Sequence, residues 1–259
     1  EITTRLVGSE MCIRDRYVGR EPRFYASVAY NGSTWYLLNE PNDANKDKQI
    51  FYYRGGGNGY TNTMFWLRTG IGVMKFVHPD DTNRDEKEEY IRKKAEPAIR
   101  YAEILLIYAE ALNELTGNYN IASWDEETQY TIQRNIDEMK KGIQPIRIRA
   151  GIPDYTRSEY EDQDLFREKL KRERQIELMG EGHRYYDIRR WKDAEVEESL
   201  PIYGCNTLMT EKWRDVFHVP VAIPSLPTNF SRKMYFWPSH SELKRNKMLT
   251  QNPGWTYND

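Results

Sequence analysis

The apolar positions of this chain fall into three regimes. Between Ala98 and Leu115, Leu105, Tyr108, Ala109 and Leu112 recur at i, i+3, i+4 and i+7, the spacing of one helix face. Ala102, Ala109 and Ala111 are small enough to let a second helix approach, and Gly117-Asn118 stops the pattern as a C-terminal glycine should. Trp124 to Lys141 carries a weaker helical pattern that Gly142 ends, and Pro145 to Pro153 reads as a connection with a short extended piece. Asp164 to Met179 has the strongest helical pattern, broken by Gly180 and Gly182, and a short helix over Arg184 to Lys192 follows. Before residue 86 the pattern is different. Pro22 to Tyr30 alternates like a strand, Asn31-Gly32 suits a type I′ hairpin turn, and Trp35 to Leu38 supplies a returning strand. The polar stretch 42–48 reads as an exposed loop, and Phe51 to Tyr60 brackets Gly55, Gly56, Gly57 and Gly59 with aromatic residues. After Ala194 the prolines at 201, 220, 224, 227, 238 and 253 exclude long helices. The pattern predicts a helical centre with irregular flanks.

Composition narrows the function. The chain has 259 residues with 38 Lys and Arg against 40 Asp and Glu, a net charge of −2 that argues against a nucleic-acid binder. Nineteen tyrosines, 7 tryptophans and 8 phenylalanines, with a mean hydropathy of −0.86, suit wet binding surfaces as well as partly buried positions. No apolar run approaches the ~20 residues of a membrane-spanning helix, and the first residues lack the basic start and apolar stretch of a signal peptide. Cys12 and Cys205 are too far apart for a metal motif and read as two unrelated thiols.

Two groups of residues carry candidate chemistry. From Arg172 to Trp191, charges of both signs lie at helical spacing, with Arg174 and Glu177, and Arg184 and Asp187, each three apart. Glu177, Glu181, His183 and Asp187 could be read as a metal or catalytic site, but the spacing matches no ligand motif and three arginines oppose a cation. An ion-pair network between two helices is the better reading. His78-Pro79-Asp80-Asp81 reads as a turn for similar reasons. No nucleophile elbow, phosphate loop or dinucleotide fingerprint is present. The second group is aromatic. Sugar rings have apolar C–H faces and polar rims, so loops that mix Tyr and Trp with Asn and Gly can stack on the face and bond the rim. Trp35, Tyr52, Tyr53, Asn58, Tyr60 and Trp66 form the candidate ligand-binding set, with Trp124 and Trp213 as alternatives; strand-like positions such as Trp35 also suit a core.

Four stretches resemble the SusD/RagB family, in the family's order. They are Arg20 to Val28, Arg100 to Glu114 (RYAEILLIYAEALNE), Arg172 to Trp191, and Leu249 to Trp255 (LTQNPGW). The resemblance implies a mostly α fold of tetratricopeptide-like helix pairs, with long irregular loops and a few short strands. It implies a non-enzymatic, cell-surface glycan-binding protein that serves a SusC-like TonB-dependent transporter at the outer membrane, with no cofactor, no catalytic residue and no nucleic-acid partner. Some members of the family bind peptides, and a glycoside hydrolase is the enzymatic rival. The matching region corresponds to the family's C-terminal portion, over residues 17–259, so a lipid anchor is expected in a preceding part. Residues 1–16, Cys12 included, match nothing expected there and read as a non-native or scar segment.

Overall fold

The computed structural model describes residues 17–255, except 36–47, 85–87, 91, 96, 211–213, 225–230 and 232–234. Among the described residues, 17–50 and 72–180 form one compact unit, and 51–71 with 181–255 form another. The regular structure is mostly helical, with short two-stranded ladders.

The first unit opens on α1 (Pro22–Ser27), followed by β1 (Val28–Tyr30), β2 (Thr34–Trp35) and β3 (Lys48–Gln49). Alternation over Pro22 to Tyr30 predicts a strand, yet only its last three residues are one. Pro22 sits in the first helical turn, where its missing N–H and fixed φ cost nothing. The Arg23 guanidinium then holds Glu21 at 2.9 Å and reaches the buried carboxylates described below. The turn at Asn31-Gly32 differs from the expected type I′ as well. Ser33 donates to the Tyr30 carbonyl across it, and of its two central residues only Gly32 has a positive φ, +88°. A single left-handed residue at that position is the type II pattern, which does not fold one strand back on the other. Accordingly β2 pairs with β3, through Thr34↔Gln49 and Trp35↔Lys48, and β1 pairs with β4 (Ile71–Val73). Residues 36–38 of the expected return strand lie outside the described residues. A further ladder joins β5 (Thr82–Arg84) to β6 (Glu88–Tyr90).

Helix α2 (Tyr101–Asn113) lies inside the stretch the spacing predicts, but its buried stripe is Ala102, Leu106, Ala109 and Leu112. Tyr108 is instead 39% exposed, because its hydroxyl donates to Glu138 at 2.8 Å. Over Trp124 to Lys141, where the pattern predicts a helix, the chain instead completes a hairpin, with β8 (Gln129–Ile132) returning on β7 (Tyr119–Ala122), before α3 (Ile136–Arg149) begins. Gly142 does not end α3, and Pro145 stands within it. The glycine is there for contact. A Cβ on Gly142 would lie 2.5 Å from the Leu105 carbonyl oxygen and 2.8 Å from the Ala109 Cβ, so α2 and α3 approach along small residues. The expected extended connection at Pro145 to Pro153 is therefore mostly helix. Two more helices complete the unit. In α4 (Arg157–Glu161), Thr156 and Glu159 form a reciprocal capping box, and in α5 (Gln163–Glu177), Asp162 caps the first turn. Their core is Leu106, Met139, Ile143, Tyr160, Phe166 and Leu170, each no more than 1% exposed. Buried Asn113 ties the end of α2 to the start of α5, donating to the Gln163 carbonyl and accepting from Arg134.

The second unit contains α6 (His183–Arg190), α7 (Ala194–Glu197), β9 (Tyr203–Gly204), α8 (Arg214–Phe217), β10 (Val221–Ala222) and α9 (His240–Arg245). Gly182 precedes α6 at φ +83°, a conformation that needs glycine. Ile188 and Ala194 pack under Tyr235, and β9 pairs antiparallel with β10.

Candidate functional site

The glycine-rich loop belongs to the second unit and is a compact set of turns. Gly56 donates to the Tyr53 carbonyl at 2.9 Å, Asn58 to the Phe51 carbonyl at 3.0 Å, and Gly59 to the Gly56 carbonyl at 3.0 Å. The glycines serve that compactness. A Cβ on Gly56 would meet the Phe51 carbonyl oxygen at 2.5 Å, one on Gly59 would collide with the Tyr53 carbonyl, and Gly55 sits at φ +93°. The Arg54 main chain bridges to Thr210 and donates to the Met209 carbonyl at 2.8 Å, which fastens the loop to a second segment. At Gly56 and Gly59 the missing side chain permits close approach of two main-chain segments.

The candidate aromatic residues separate into two layers. Tyr52 and Tyr53 are each only 8% exposed, and burial pushes the Tyr52 phenol pKa up. Tyr60 and Trp66 are half-buried and pack edge to face, with centroids 5.4 Å apart and planes at 90°. The Trp66 indole N–H donates to the buried Thr207 hydroxyl at 2.8 Å, which fixes the ring's orientation. Around them, the Arg54 guanidinium lies 5.7 Å from the Tyr60 centroid and that of Arg68 lies 5.1 Å from the Trp66 centroid. Asn58 is exposed. Asn62 spends its side-chain oxygen on the backbone N–H groups of Met64 and Phe65. Phe65, which sequence reasoning passed over, is 69% exposed beside this pair. Gly70 (φ +64°) is another close approach: a Cβ there would meet the Cys205 and Thr207 side chains at 2.9 Å each and the ring of fully buried Phe217 at 3.1 Å. The arrangement offers two mutually oriented, half-buried aromatic rings, an exposed amide and two guanidinium groups, all on one anchored loop.

The remaining candidates lie elsewhere. Trp35 is half-buried on β2 in the first unit. Trp124 is 95% exposed in the turn between β7 and β8, and Trp213 is outside the described residues.

The charged segment behaves as an ion-pair network, with partners other than those the spacing suggests. Glu173, 2% exposed, accepts from Arg23 and Arg147 at 2.7 Å each and from the Tyr155 hydroxyl at 3.2 Å. Glu177 meets Arg149 at 2.5 Å, Arg23 at 3.1 Å and Arg100 at 3.1 Å, all from other elements, where a pairing with Arg174 on its own helix was expected. Burial alone would raise the pKa of Glu177, but the hydrogen bond and charge of Arg149, then the bonds from Arg23 and Arg100, outweigh it and hold the carboxyl below its ordinary range. Lys75 donates to the carbonyls of Glu177 and Met179 and so caps the C-terminal end of α5. In the second unit Asp187 bonds Arg190 at 2.9 Å, and Arg184 pairs with Glu197. Residues 78–81 form the expected turn, with the Asp81 N–H donating to the His78 carbonyl; the hydrogen bond from Lys94, joined by backbone N–H groups, draws the Asp81 carboxyl down to about 2. Among the described residues, no cluster of three or more His, Cys, Asp or Glu converges as metal ligands would. Among them, too, no helix is long and apolar enough to cross a membrane.

Comparison with known proteins supplies a context for this geometry. The sequence model of the SusD family matches residues 6–255. SusD-like protein P2 of Formosa agariphila is 37% identical over 97 residues, which are 36% of this chain and 16% of that protein. A solved structure of BT4246 superposes with a TM-score of 0.72 at 24% identity, covering 93% of this chain and 37% of the other. Its selenomethionine form gives a TM-score of 0.67 at 23% identity, covering 93% and 38%. The chain thus spans well under half the length of each.

Proposed function

Because the chain belongs to the SusD family, we propose that it is part of a non-enzymatic glycan-capture protein of an outer-membrane nutrient uptake system. The family match over residues 6–255 is the observation that carries this reading. The protein would hold oligosaccharides for a SusC-like TonB-dependent transporter and would stand on the outer face of the outer membrane through a lipid anchor. Within the chain the best candidate for the sugar contact is the anchored loop. Tyr60 and Trp66 supply aromatic rings already oriented by each other and by Thr207, and Asn58 supplies an exposed hydrogen-bonding group. Preorientation matters because a rigid planar side chain loses little rotamer freedom on binding. Tyr52 and Tyr53 are buried within the same loop, and Trp35 belongs to the first unit.

A glycan array followed by a reducing-end assay tests the proposal. Retention of at least one oligosaccharide class without release of new reducing ends is the expected result. Catalytic release would move the protein to the hydrolases, and retention of peptides alone would move it to the peptide-binding members of the family.

A further inference from the structure

The charge of the loop narrows the ligand. From Phe51 to Ile71, the stretch of the second unit that carries the loop, the sequence contains no Asp or Glu, where the chain average would place about three, while Arg54 and Arg68 lie within it. The excess is local, because the whole chain carries a net charge of −2. Arg54 and Arg68 are both exposed, and each is held over one ring of the Tyr60–Trp66 pair. Among the described residues no carboxylate pairs with either, although Arg23, Arg147, Arg149, Arg157 and Arg167 are all committed to carboxylates. An exposed guanidinium without a carboxylate partner keeps its planar fork of N–H groups for a planar or tetrahedral anion.

We propose that this platform takes an acidic glycan, one bearing carboxylate or sulfate groups, with Tyr60 and Trp66 against the sugar ring and Arg54 and Arg68 on the acidic substituents. The inference rests on the glycan-capture reading and specifies its substrate class. A neutral glycan could accept hydrogen bonds from these guanidinium groups but would leave both without a counter-charge, so the arginines would add less to its binding than to that of an acidic one.

Calorimetry on the intact chain tests it with oligogalacturonate for the carboxylate, a sulfated carrageenan oligosaccharide for the sulfate, and maltoheptaose as the neutral probe. At least one acidic probe should bind about tenfold or more tighter than maltoheptaose, the worth of one charge-assisted hydrogen bond. Its affinity should fall as salt rises from about 0.05 to about 0.5 M, where screening shortens the reach of exposed charges. Arg54→Gln and Arg68→Gln should each weaken the acidic probe by about tenfold. Arg→Lys at the same positions should recover part of the loss, because charge returns without the fork. Circular dichroism controls for folding. Whichever acidic probe survives the comparison identifies the anion. Equal affinity for maltoheptaose, or undiminished acidic binding by a folded double Arg→Gln variant, overturns the inference and leaves glycan capture standing. Failure of every glycan to bind overturns both.

Discussion

Replacing Gly142 by Ala sets two helix terms against each other, and the structure decides the sign. Alanine in a helix interior is favoured over glycine by about 0.8–1.0 kcal/mol, so local propensity predicts a more stable protein. The added methyl, however, would sit 2.5 Å from the Leu105 carbonyl oxygen and 2.8 Å from the Ala109 Cβ. Relief requires α2 and α3 to separate by several tenths of an ångström. Leu106, Ala109, Met139 and Ile143 meet at that interface and are each fully buried. Gaps of ~0.5–1 Å forfeit a quarter to a half of each dispersion contact, and overpacking of a tight core costs about 1–3 kcal/mol in total. The contact is tight enough to put Gly142 at the upper end, so the net loss is about 1–2 kcal/mol. For a chain of this length that lowers Tm by roughly 3–8 °C. Thermal melting followed by far-UV circular dichroism measures it, with Gly117→Ala as the control, since a Cβ there meets nothing within 4 Å. A Gly142→Ala variant as stable as the parent, or more so, would refute the close approach of the two helices.

Three further outcomes follow from the same structure. Glu177→Ala leaves Arg23, Arg100 and Arg149 without their shared carboxylate; because Arg149 is half exposed, the loss should lie near the low end of the ~3–5 kcal/mol typical of a broken buried pair, visible as a lower Tm with unchanged glycan affinity in the folded protein. The depressed pKa of Glu177 means that its contribution is fully present above the unfolded value of about 4.3 and is lost as pH falls through the lower folded value, so denaturant titrations should show stability level from about pH 7 to 5 and declining below 4, with a shallower decline in Glu177→Gln. Tyr53→Ala should remove a buried ring at a cost of about 3–5 kcal/mol and abolish ordered folding of its unit, whereas Tyr60→Ala should leave the circular dichroism spectrum intact and weaken binding alone.

The long helices were legible because their signals are local and redundant. α2 and α5 carry apolar residues at helical spacing, and α5 has Asp162 to start it and Gly180 to end it. The spacing places Ala109 and Leu112 on the buried face of α2, as the structure does. It also puts Leu105 and Tyr108 there, where Leu106 is the buried residue and Tyr108 turns to an exposed hydrogen-bond partner in Glu138 that no periodicity announces. Gly142 was read as a terminator on the strength of its backbone entropy, when a neighbouring helix needed the missing Cβ. The hairpin at β7 and β8 escaped notice because its strands are exposed, except for half-buried Ile132, and so lack the alternation of a half-buried sheet. The partners of Glu173 and Glu177 come from residues as distant in sequence as Arg23, and pairing at that range is set by packing. At the candidate site the residue types are visible in the sequence, but the burial of Tyr52 and Tyr53 and the orientation of Trp66 by Thr207, 141 residues away, are set by packing.

The central claim is that this loop holds a sugar, and calorimetric titration of the parent chain and a Tyr60→Ala/Trp66→Ala variant with the oligosaccharide retained on the array tests it most directly. Stacking contributes about 1–3 kcal/mol per aromatic ring in the comparable case of nucleobases, so the variant should stay folded and bind at least about tenfold more weakly. A folded double variant that binds as tightly as the parent would contradict the account and remove the loop from the site.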